Sequence, residues 1–418
     1  MSDALANPTR RAGLARIREF ANSAGTAYTK SRNFDFGPER RGNVSMLSPF
    51  VRHRLILEEE LLETVLSRHS VTASNKFVQE VFWRGYFKGW LEQHPEVWVD
   101  YRTSVSSLLA NLDEQPELLE RYKAAVEGNT GIECFDAWSR ELVTHGYLHN
   151  HARMWFASIW VFTLGLPWQL GADFFYRHLI DGDPASNTLG WRWVCGLHTR
   201  GKTYLARRSN IAYFTDNRFN PYDQLAKSAR PPGESRVFAI EPLPAAGVLP
   251  PDERYGLLIT EEDGHPISLL EDQKPVAILG AVATRMRSPL PVGNPAKNFA
   301  FGAVADSVNR TAKQFGIIGE LSATDDWTNL LVEWATSNHV NVIATAYAPV
   351  GPVAELLLNA RKQLDRYGIR LVQLRRPYDS KVWPHATHGF FRLKDQIPKL
   401  LKRLEIVNSR GEVDAKAG

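Results

Sequence analysis

A proline-rich segment divides this 418-residue chain into two parts with different hydrophobic periodicity. Prolines stand at positions 231, 232, 242, 244, 250 and 251, a composition typical of an extended linker. Before this segment, apolar residues recur at three- and four-residue spacing, as from Leu55 to Leu66, which is the spacing of helices. After it, short β-branched runs alternate with helical patterns. The chain is therefore predicted to be a multidomain α and α/β protein.

The predicted domain boundaries follow from this division. We expect an all-helical domain over residues 1–228, an interdomain linker over 229–270, a small Rossmann-like α/β domain over 271–406 and a frayed tail over 407–418. Within the α/β domain, strands are predicted over Pro275–Ala283, Asn341–Tyr347 and Ile369–Arg375. Right-handed crossovers through helices would join them into a parallel sheet.

Composition narrows the class of protein. A formal net charge of +4 gives weak support to nucleic-acid binding, so a DNA site would have to be a local patch. Cys134 and Cys195 cannot build a disulfide framework and lack metal-ligand spacing, so we expect a cytoplasmic protein without a metal site. We also expect the protein to be a monomer. The uncharged stretch from Met154 to Gly171 contains Pro167 and is predicted to be a buried helix, not a membrane span.

Polar side chains concentrate in two otherwise apolar stretches, residues 145–154 and 179–193. Burying such groups singly is costly, so they must satisfy one another or a large polar ligand such as a flavin ring. Arg153 and Asp181 would form a buried pair beside the ring, and Asp183 would accept from a ligand donor. For any one of these residues, an ion-pair network that locks two helices is an equally good explanation.

The spacing in these stretches resembles the FAD-binding signature of the photolyase/cryptochrome family. The first carries an HN-x-x-R-M block and the second a D-G-D-x-x-x-N-x-x-x-W-x-W block. Upstream, residues 44–50 resemble the family's T-S-x-L-S-P segment and residues 80–84 its E-x-x-W-R block, while Tyr28 and Arg32 match a pair that precedes the phosphate segment. The resemblance covers about residues 10–225 and is strongest to the cyclobutane-dimer photolyases.

This resemblance implies FAD, bound deep in the helical domain. It assigns the following residues to the cofactor: Tyr28, Val44, Ser45, Met46, Leu47, Ser48, Arg84, Asn150, Arg153, Asp181, Asp183 and Asn187. Amides and hydroxyls of residues 44–48 would hold the pyrophosphate. Val44 stands where the family has threonine and Met46 where it has arginine, and residues 37–43 include an insertion. We therefore expect a remodelled phosphate cradle.

Residue types that contact the lesion in the family are also present, which implies repair of cyclobutane pyrimidine dimers in ultraviolet-damaged DNA. By resemblance, Glu80 would hydrogen-bond the dimer bases. Asn150 and Met154 would line the lesion pocket, where a eukaryotic-type (6–4) photolyase would have histidines. Trp83 and Trp193 would stack on the flipped pair. Excited reduced flavin would donate the electron, and the protein would supply positioning and electrostatics.

Each of these assignments has a structural alternative. The tryptophans would then be core aromatics, Met154 a packing residue and Glu80 an ion-pair partner of Arg84 at i,i+4 spacing. The rival functions are a cryptochrome-like blue-light photoreceptor, which binds FAD without repairing DNA, and a flavin-binding protein with neither activity.

Photoreduction in the family uses a chain of tryptophans from flavin to surface. Trp191 and Trp168 resemble its proximal and middle members. The distal member is replaced by Ala125, and Tyr122 and Trp160 are the candidate substitutes.

Basic residues that flank the flavin blocks are the candidate contacts to DNA phosphates. We expect Arg32, Arg200 and Lys202 to bind DNA, with Arg32 supported best by the resemblance.

The α/β domain follows the helical domain, whereas the family usually places such a domain first. It is predicted to be either an antenna-like domain for a second chromophore or an unrelated regulatory module. Residues 347–352 join a strand to a helix; this segment is predicted to be either a plain βα connection or a site where backbone amides face a ligand. Residues 382–391 concentrate aromatics and histidines and would either cap a chromophore or close the interdomain interface.

Overall fold

The computed structural model describes residues 7–199, 201–233, 236–270 and 273–407. Within these ranges, the part before the proline-rich segment is helical, as predicted. Helices α1 to α12 span Arg10–Phe20, Thr26–Ser31, Ser48–Arg52, Glu58–Leu66, Asn75–Glu92, Pro95–Ala110, Pro116–Glu127, Glu133–His145, Asn150–Ser158, Trp168–His178, Pro184–Val194 and Arg208–Phe214. Proline begins α6, α7 and α11, where its missing N–H removes no helical hydrogen bond.

The apolar stretch from Met154 to Gly171, expected to be one buried helix, is divided between two. α9 ends at Ser158 and continues into a π-helical turn over Ile159–Thr163. α10 begins only after Pro167, because proline cannot donate the hydrogen bond that a continuous helix requires. None of the described helices is long and apolar enough to cross a membrane.

The second part of the chain carries a parallel sheet, which confirms the predicted α/β class. Its strands are β1 Gly256–Thr260, β2 Ala277–Ala281, β3 Gly319–Ser322, β4 Val342–Ala346 and β5 Arg370–Leu374. They pair in the order β3-β2-β1-β4-β5. Helix α13, Asn294–Phe315, packs on one face, and α14, Trp327–Ser337, and α15, Pro352–Arg366, pack on the other. β1, β2 and β4 are buried throughout, which explains their uninterrupted apolar sequences.

One predicted domain boundary needs correction, and two strands of the sheet were not predicted. β1 lies inside the segment assigned to the linker, so the sheet begins at Gly256 and not after residue 271. Its short apolar run follows Pro250 and Pro251 so closely that the proline signal concealed it. β3, which is also absent from the predicted strands, is a partly exposed edge strand with little apolar signal. The predicted tail lies outside the described residues, apart from Val407, which is buried.

The last three helices pack on the helical part of the chain. They are α16 Pro377–Val382, α17 Phe390–Lys394 and α18 Ile397–Arg403. α5 accommodates them through two glycines: a Cβ on Gly89 would lie 2.7 Å from the Cα of Trp383, and one on Gly85 would lie 3.0 Å from the hydroxyl of Tyr378. The aromatic segment 382–391 therefore closes the interface between the two parts, which was one of its two predicted roles.

The helical part also fills the position where open α/β sheets usually bind ligands, the carboxyl edge at which strand order reverses between β1 and β4. Glu262 and Asp263, which follow β1, are both buried there. Glu262 accepts hydrogen bonds of 2.8 and 2.6 Å from the guanidinium of Arg52. Asp263 accepts two from Arg376, at 2.6 and 2.7 Å. Arg52 thus joins the two parts of the chain across a desolvated ion pair.

We expect Arg52→Ala to lower the free energy of unfolding by about 3–5 kcal/mol, because it would leave the buried Glu262 carboxylate short of a partner. Arg370→Ala is the matched control. It breaks an ion pair with Glu253 that is 2.6 Å long but largely exposed, so it should cost at most about 1 kcal/mol. Urea unfolding measures both variants, and equal losses would contradict a central role for the buried pair.

His53 gives the same interface a pH dependence. Its Nδ1–H donates to the carbonyl oxygen of Glu261 at 2.8 Å. Burial, reinforced by Arg52 and Arg287, lowers the pKa of His53 from 6.5 to about 3. Between these two pKa values His53 is protonated in the unfolded chain and neutral in the folded chain. Its contribution to the free energy of unfolding is therefore fully present above pH 6.5 and is lost as the pH falls toward 3.

We expect His53→Asn to reduce the slope of unfolding free energy against pH by about 1.4 kcal/mol per pH unit below neutrality. The asparagine keeps a donor for the Glu261 carbonyl but does not titrate. Substitution of the exposed His388 by asparagine should leave the slope unchanged. Urea titrations at a series of pH values test this, and identical slopes for wild type and His53→Asn would refute the assignment.

Candidate functional site

A cavity of about 670 Å³ lies among α2, α5, α9 and α11, a size typical of ligand sites. All sixteen residues predicted to serve the cofactor or the lesion line it: Tyr28, Val44, Ser45, Met46, Leu47, Ser48, Glu80, Trp83, Arg84, Asn150, Arg153, Met154, Asp181, Asp183, Asn187 and Trp193. The fold therefore brings five separate stretches of sequence to one place. The role of each residue there remains a prediction.

Arg153 and Asp181 form an ion pair at the cavity wall, with 2.8 Å between Nη2 and Oδ2. The guanidinium also donates from Nε to the carbonyl oxygen of Leu148 at 3.0 Å and lies over the ring of Tyr147. The other carboxylate oxygen, Asp181 Oδ1, is buried and accepts no hydrogen bond from the described residues. A buried acceptor of this kind calls for a donor, which a ligand N–H in the cavity would supply.

Asp183 caps the N-terminus of α11 and attracts three cations. Its Oδ1 accepts from the backbone N–H of Ser186 at 2.8 Å. Its Oδ2 lies 3.2 Å from Lys88 Nζ, 3.6 Å from Arg84 Nη1 and 3.9 Å from Arg52 Nε. Burial would raise the pKa of Asp183, but these cations outweigh burial and hold it well below its ordinary value. Asp183 is therefore ionised, and it orders the cavity wall.

The predicted phosphate segment, residues 44–48, forms a turn before α3. Met46 adopts φ +53°, a left-handed conformation that is uncommon for a side chain of this size. Its side chain packs in the hydrophobic core. At this position a ligand would therefore meet no side-chain charge, in contrast to the arginine of the family. Arg16 holds the turn by donating to the carbonyl oxygens of Ser45 at 2.8 Å and Val44 at 3.3 Å.

Glu80 forms an ion pair with Arg32 at the cavity wall. Burial raises the pKa of Glu80, and Arg32 acts in the opposite direction. The alternative pairing of Glu80 with Arg84 is wrong: Arg84 instead lies 3.4 Å from Glu58 and 3.6 Å from Asp183. Arg32, predicted to bind DNA phosphates, therefore occupies the same cavity as the predicted lesion-binding acid.

Trp83 and Trp193, the predicted stacking residues, each stack on a second ring. The ring centroids of Trp83 and Phe390 are 3.7 Å apart, with only 12° between the planes. Those of Trp193 and Tyr204 are 5.9 Å apart at 29°. Phe390 does not line the cavity, so it covers one face of the Trp83 indole and leaves the remainder to the cavity.

The aromatic contacts that lead away from the cavity wall run through Trp160 and Tyr122, the two candidate substitutes for the distal tryptophan. Trp191, at the cavity wall, contacts Trp160 with 6.1 Å between ring centroids, and Trp160 contacts Tyr122 at the same separation. Trp168, the predicted middle member, lines a separate surface pocket of about 390 Å³. Ala125 is fully buried. The use of any of these rings in electron transfer remains a prediction.

Lys202, another predicted DNA contact, does not line the cavity. Lys202 is exposed on the loop after α11, and Arg200 lies outside the described residues. The sequence analysis did not predict a role for Lys88, which lies near the buried Asp183 together with Arg84. These two cations are one helical turn apart on α5, and this spacing could have indicated a buried anion. Phe390 was also missed, because no local pattern connects it with Trp83.

Comparisons with known proteins agree with this site. Residues 77–229 match the family model described as the FAD binding domain of DNA photolyase. The chain is 33% identical over 156 residues to a deoxyribodipyrimidine photo-lyase from Streptomyces griseus, covering 37% of this chain and 32% of that protein. It is 32% identical over 195 residues to one from Agrobacterium fabrum, covering 45% and 38%. The chain thus spans about two fifths or less of the length of these relatives.

Two solved structures are also similar to the chain. One is a bacterial class III photolyase from Agrobacterium tumefaciens, with a TM-score of 0.41, 28% identity and coverage of 50% of this chain and 43% of that one. The other is a cryptochrome from Synechocystis sp., with a TM-score of 0.42, 22% identity and the same coverage.

The cavity suits FAD, the cofactor named by the matching family model. It combines a buried acceptor, Asp181 Oδ1, with a buried donor, Trp191 Nε1, and neither atom has a hydrogen-bond partner among the described residues. The amide of Asn187 is fixed at the wall by a 2.8 Å hydrogen bond from Nδ2 to the carbonyl oxygen of Ala172. Ring N–H groups and carbonyl oxygens of a flavin would satisfy these atoms.

We expect Asp181→Asn to weaken FAD binding about ten- to hundredfold, because it removes a charge-assisted acceptor and the partner of Arg153. Asp113→Asn, on an exposed loop, is the control and should bind FAD as the wild type does. Titration of apoprotein with FAD gives both affinities. Equal affinities would show that Asp181 does not face the cofactor.

Proposed function

We propose that the protein is a light-driven DNA repair flavoprotein that splits cyclobutane pyrimidine dimers, because residues 77–229 match the FAD binding domain of DNA photolyase and the similar curated proteins are deoxyribodipyrimidine photo-lyases. One observation carries the proposal. The five residue types expected to contact a dimer converge on the same cavity as the flavin residues: Glu80, Trp83, Asn150, Met154 and Trp193.

The helices present these residues in a way that suits a flipped pair of bases. Asn150 and Met154 are one turn apart on α9 and therefore share a face. Trp83 on α5 and Trp193 on α11 supply ring surface, and every base can stack on an aromatic face. Flipping two bases out of the DNA duplex costs a few kcal/mol, which stacking and hydrogen bonds in the cavity would offset.

Glu80 and Arg32 would stabilise negative charge on the dimer. Burial raises the pKa of Glu80, with Arg32 acting against it, and a protonated Glu80 would donate an O–H to a base carbonyl oxygen. Arg32 would place a positive charge beside the same oxygen. When bound and reduced, FAD supplies the electron on excitation by blue or near-ultraviolet light. The chain's own contribution is to orient the dimer, exclude water and provide these two donors.

The first experiment is an absorption spectrum of the purified protein before and after dithiothreitol and blue light. The reduced sample is then illuminated with dimer-containing oligothymidine. Flavin bands followed by recovery of thymine absorbance support repair. Flavin bands that bleach without such recovery support the photoreceptor alternative, and a protein without flavin would exclude both.

We expect Glu80→Ala to slow dimer splitting about a hundredfold while FAD remains bound, because one donor to the developing charge is lost. Glu80→Gln, which retains an N–H donor, should recover part of that loss. Glu120→Ala on the exposed face of α7 is the control. The quantum yield of splitting under saturating dimer measures the effect, and a wild-type yield for Glu80→Ala would remove this role.

A further inference from the structure

The last two helices carry an exposed basic face that no sequence motif had indicated. Residues 389–407 contain two acidic side chains, Asp395 and Glu405. Against these stand five basic ones: Arg392, Lys394, Lys399, Lys402 and Arg403. All of them except Lys394, which is half-buried, are exposed. The segment is therefore a local positive patch on a chain of small net charge.

This patch lies beside the candidate lesion cavity. Phe390 at the start of α17 stacks at 3.7 Å on Trp83, which lines the cavity. Leu393 and Leu400 are buried in the core that α17 and α18 share with α5. Because these apolar side chains hold the helices against α5, the exposed basic side chains face solvent on the side of α17 and α18 away from that core.

An exposed aromatic ring lies in the same patch. Phe391 is 74% exposed, although its neighbour Phe390 is buried. Lys394 Nζ lies 5.7 Å from the Phe391 ring centroid, so the ring and a positive charge are presented together. Exposed aromatic rings among basic side chains are the elements with which proteins bind single nucleic-acid strands, by base stacking and phosphate contact.

We propose that α17 and α18 form a DNA-binding surface that holds the strand next to the flipped dimer. Phe391 stacks on a base adjacent to the lesion, and Arg392 and Lys399 contact backbone phosphates. The inference rests on the proposed function, since it assumes that a damaged DNA strand enters the cavity beside Trp83. It adds a surface from the far end of the chain, outside residues 77–229 that match the family model.

The phosphate contacts are tested with the double variant Arg392→Ala/Lys399→Ala. For wild type and variant, the affinity for oligothymidine is measured from low to high salt, with and without a dimer. Each lost phosphate contact should reduce the slope of log affinity against log salt by about 0.7, so we expect a change of about 1.4. Damaged and undamaged strands should lose affinity equally, because phosphates carry no lesion.

The matched control is Arg361→Ala/Lys362→Ala, which removes the same charge from exposed positions on α15. Its salt slope should equal that of the wild type. Equal reductions in both double variants would mean that net charge alone acts, and no reduction in either would mean that the strand lies elsewhere. Both outcomes overturn the proposal. FAD content and melting temperature confirm that the variants are folded.

The aromatic contact is tested with Phe391→Ala and Phe391→Tyr. We expect the alanine to weaken strand binding about fivefold or more and the tyrosine to restore it, because only an aromatic ring can stack on a base. Equal affinity of Phe391→Ala and wild type would exclude the contact. A wild-type protein that binds both strands with the expected slope but does not prefer the dimer would contradict the proposed repair function and leave the surface intact.

Discussion

Two carboxylates and two cations, buried between the cavity and the sheet, hold this structure together. Lys88 Nζ lies 3.2 Å from Asp183 and 3.3 Å from Glu262. Arg52 binds Glu262 through both terminal nitrogens and donates from Nε to the carbonyl oxygen of Gly182 at 2.9 Å. Desolvating such charges is costly, and only close, shared geometry offsets the cost. The wall of the candidate flavin site and the end of β1 therefore form one electrostatic unit.

This arrangement uses the sheet in an unusual way. The carboxyl edge between β1 and β4 would ordinarily receive a ligand, but here it receives the helical part of the chain. The end of β4 is closed in the same manner: Glu92 accepts hydrogen bonds of 2.6 Å from the Tyr347 hydroxyl and from the backbone N–H of Val350. A second chromophore, if the α/β unit binds one, would have to lie away from this edge. Of the two roles predicted for residues 347–352, these contacts favour the structural connection over the ligand site.

The features predicted correctly from the sequence are those set by residues close together in the chain, such as helical spacing, helix caps and strand patterns. The polar blocks at 145–154 and 179–193 place their side chains by helical spacing and an N-cap, so their convergence on a cavity could be foreseen. Strands β2, β4 and β5 were found from their local β-branched runs. β1 was lost beside a run of prolines, and β3 has an edge strand's weak signal. Contacts such as Trp83 with Phe390 depend on tertiary packing of distant segments, which periodicity cannot reveal.

The chain order suggests that the α/β unit is inserted into the helical domain. Residues of α1, α4 and α5 share one hydrophobic core with α16, α17 and α18, although the whole sheet lies between them in sequence. α5 carries Glu80, Trp83 and Arg84 on the side of the cavity, and Tyr378 and Trp383 pack against its glycines Gly85 and Gly89. The helix that supplies part of the cavity wall is therefore packed against the last helices described. The α/β unit is therefore not structurally independent of the site. Residues that follow β1 bind the cavity wall through ion pairs, and the helices that follow the sheet pack against α5.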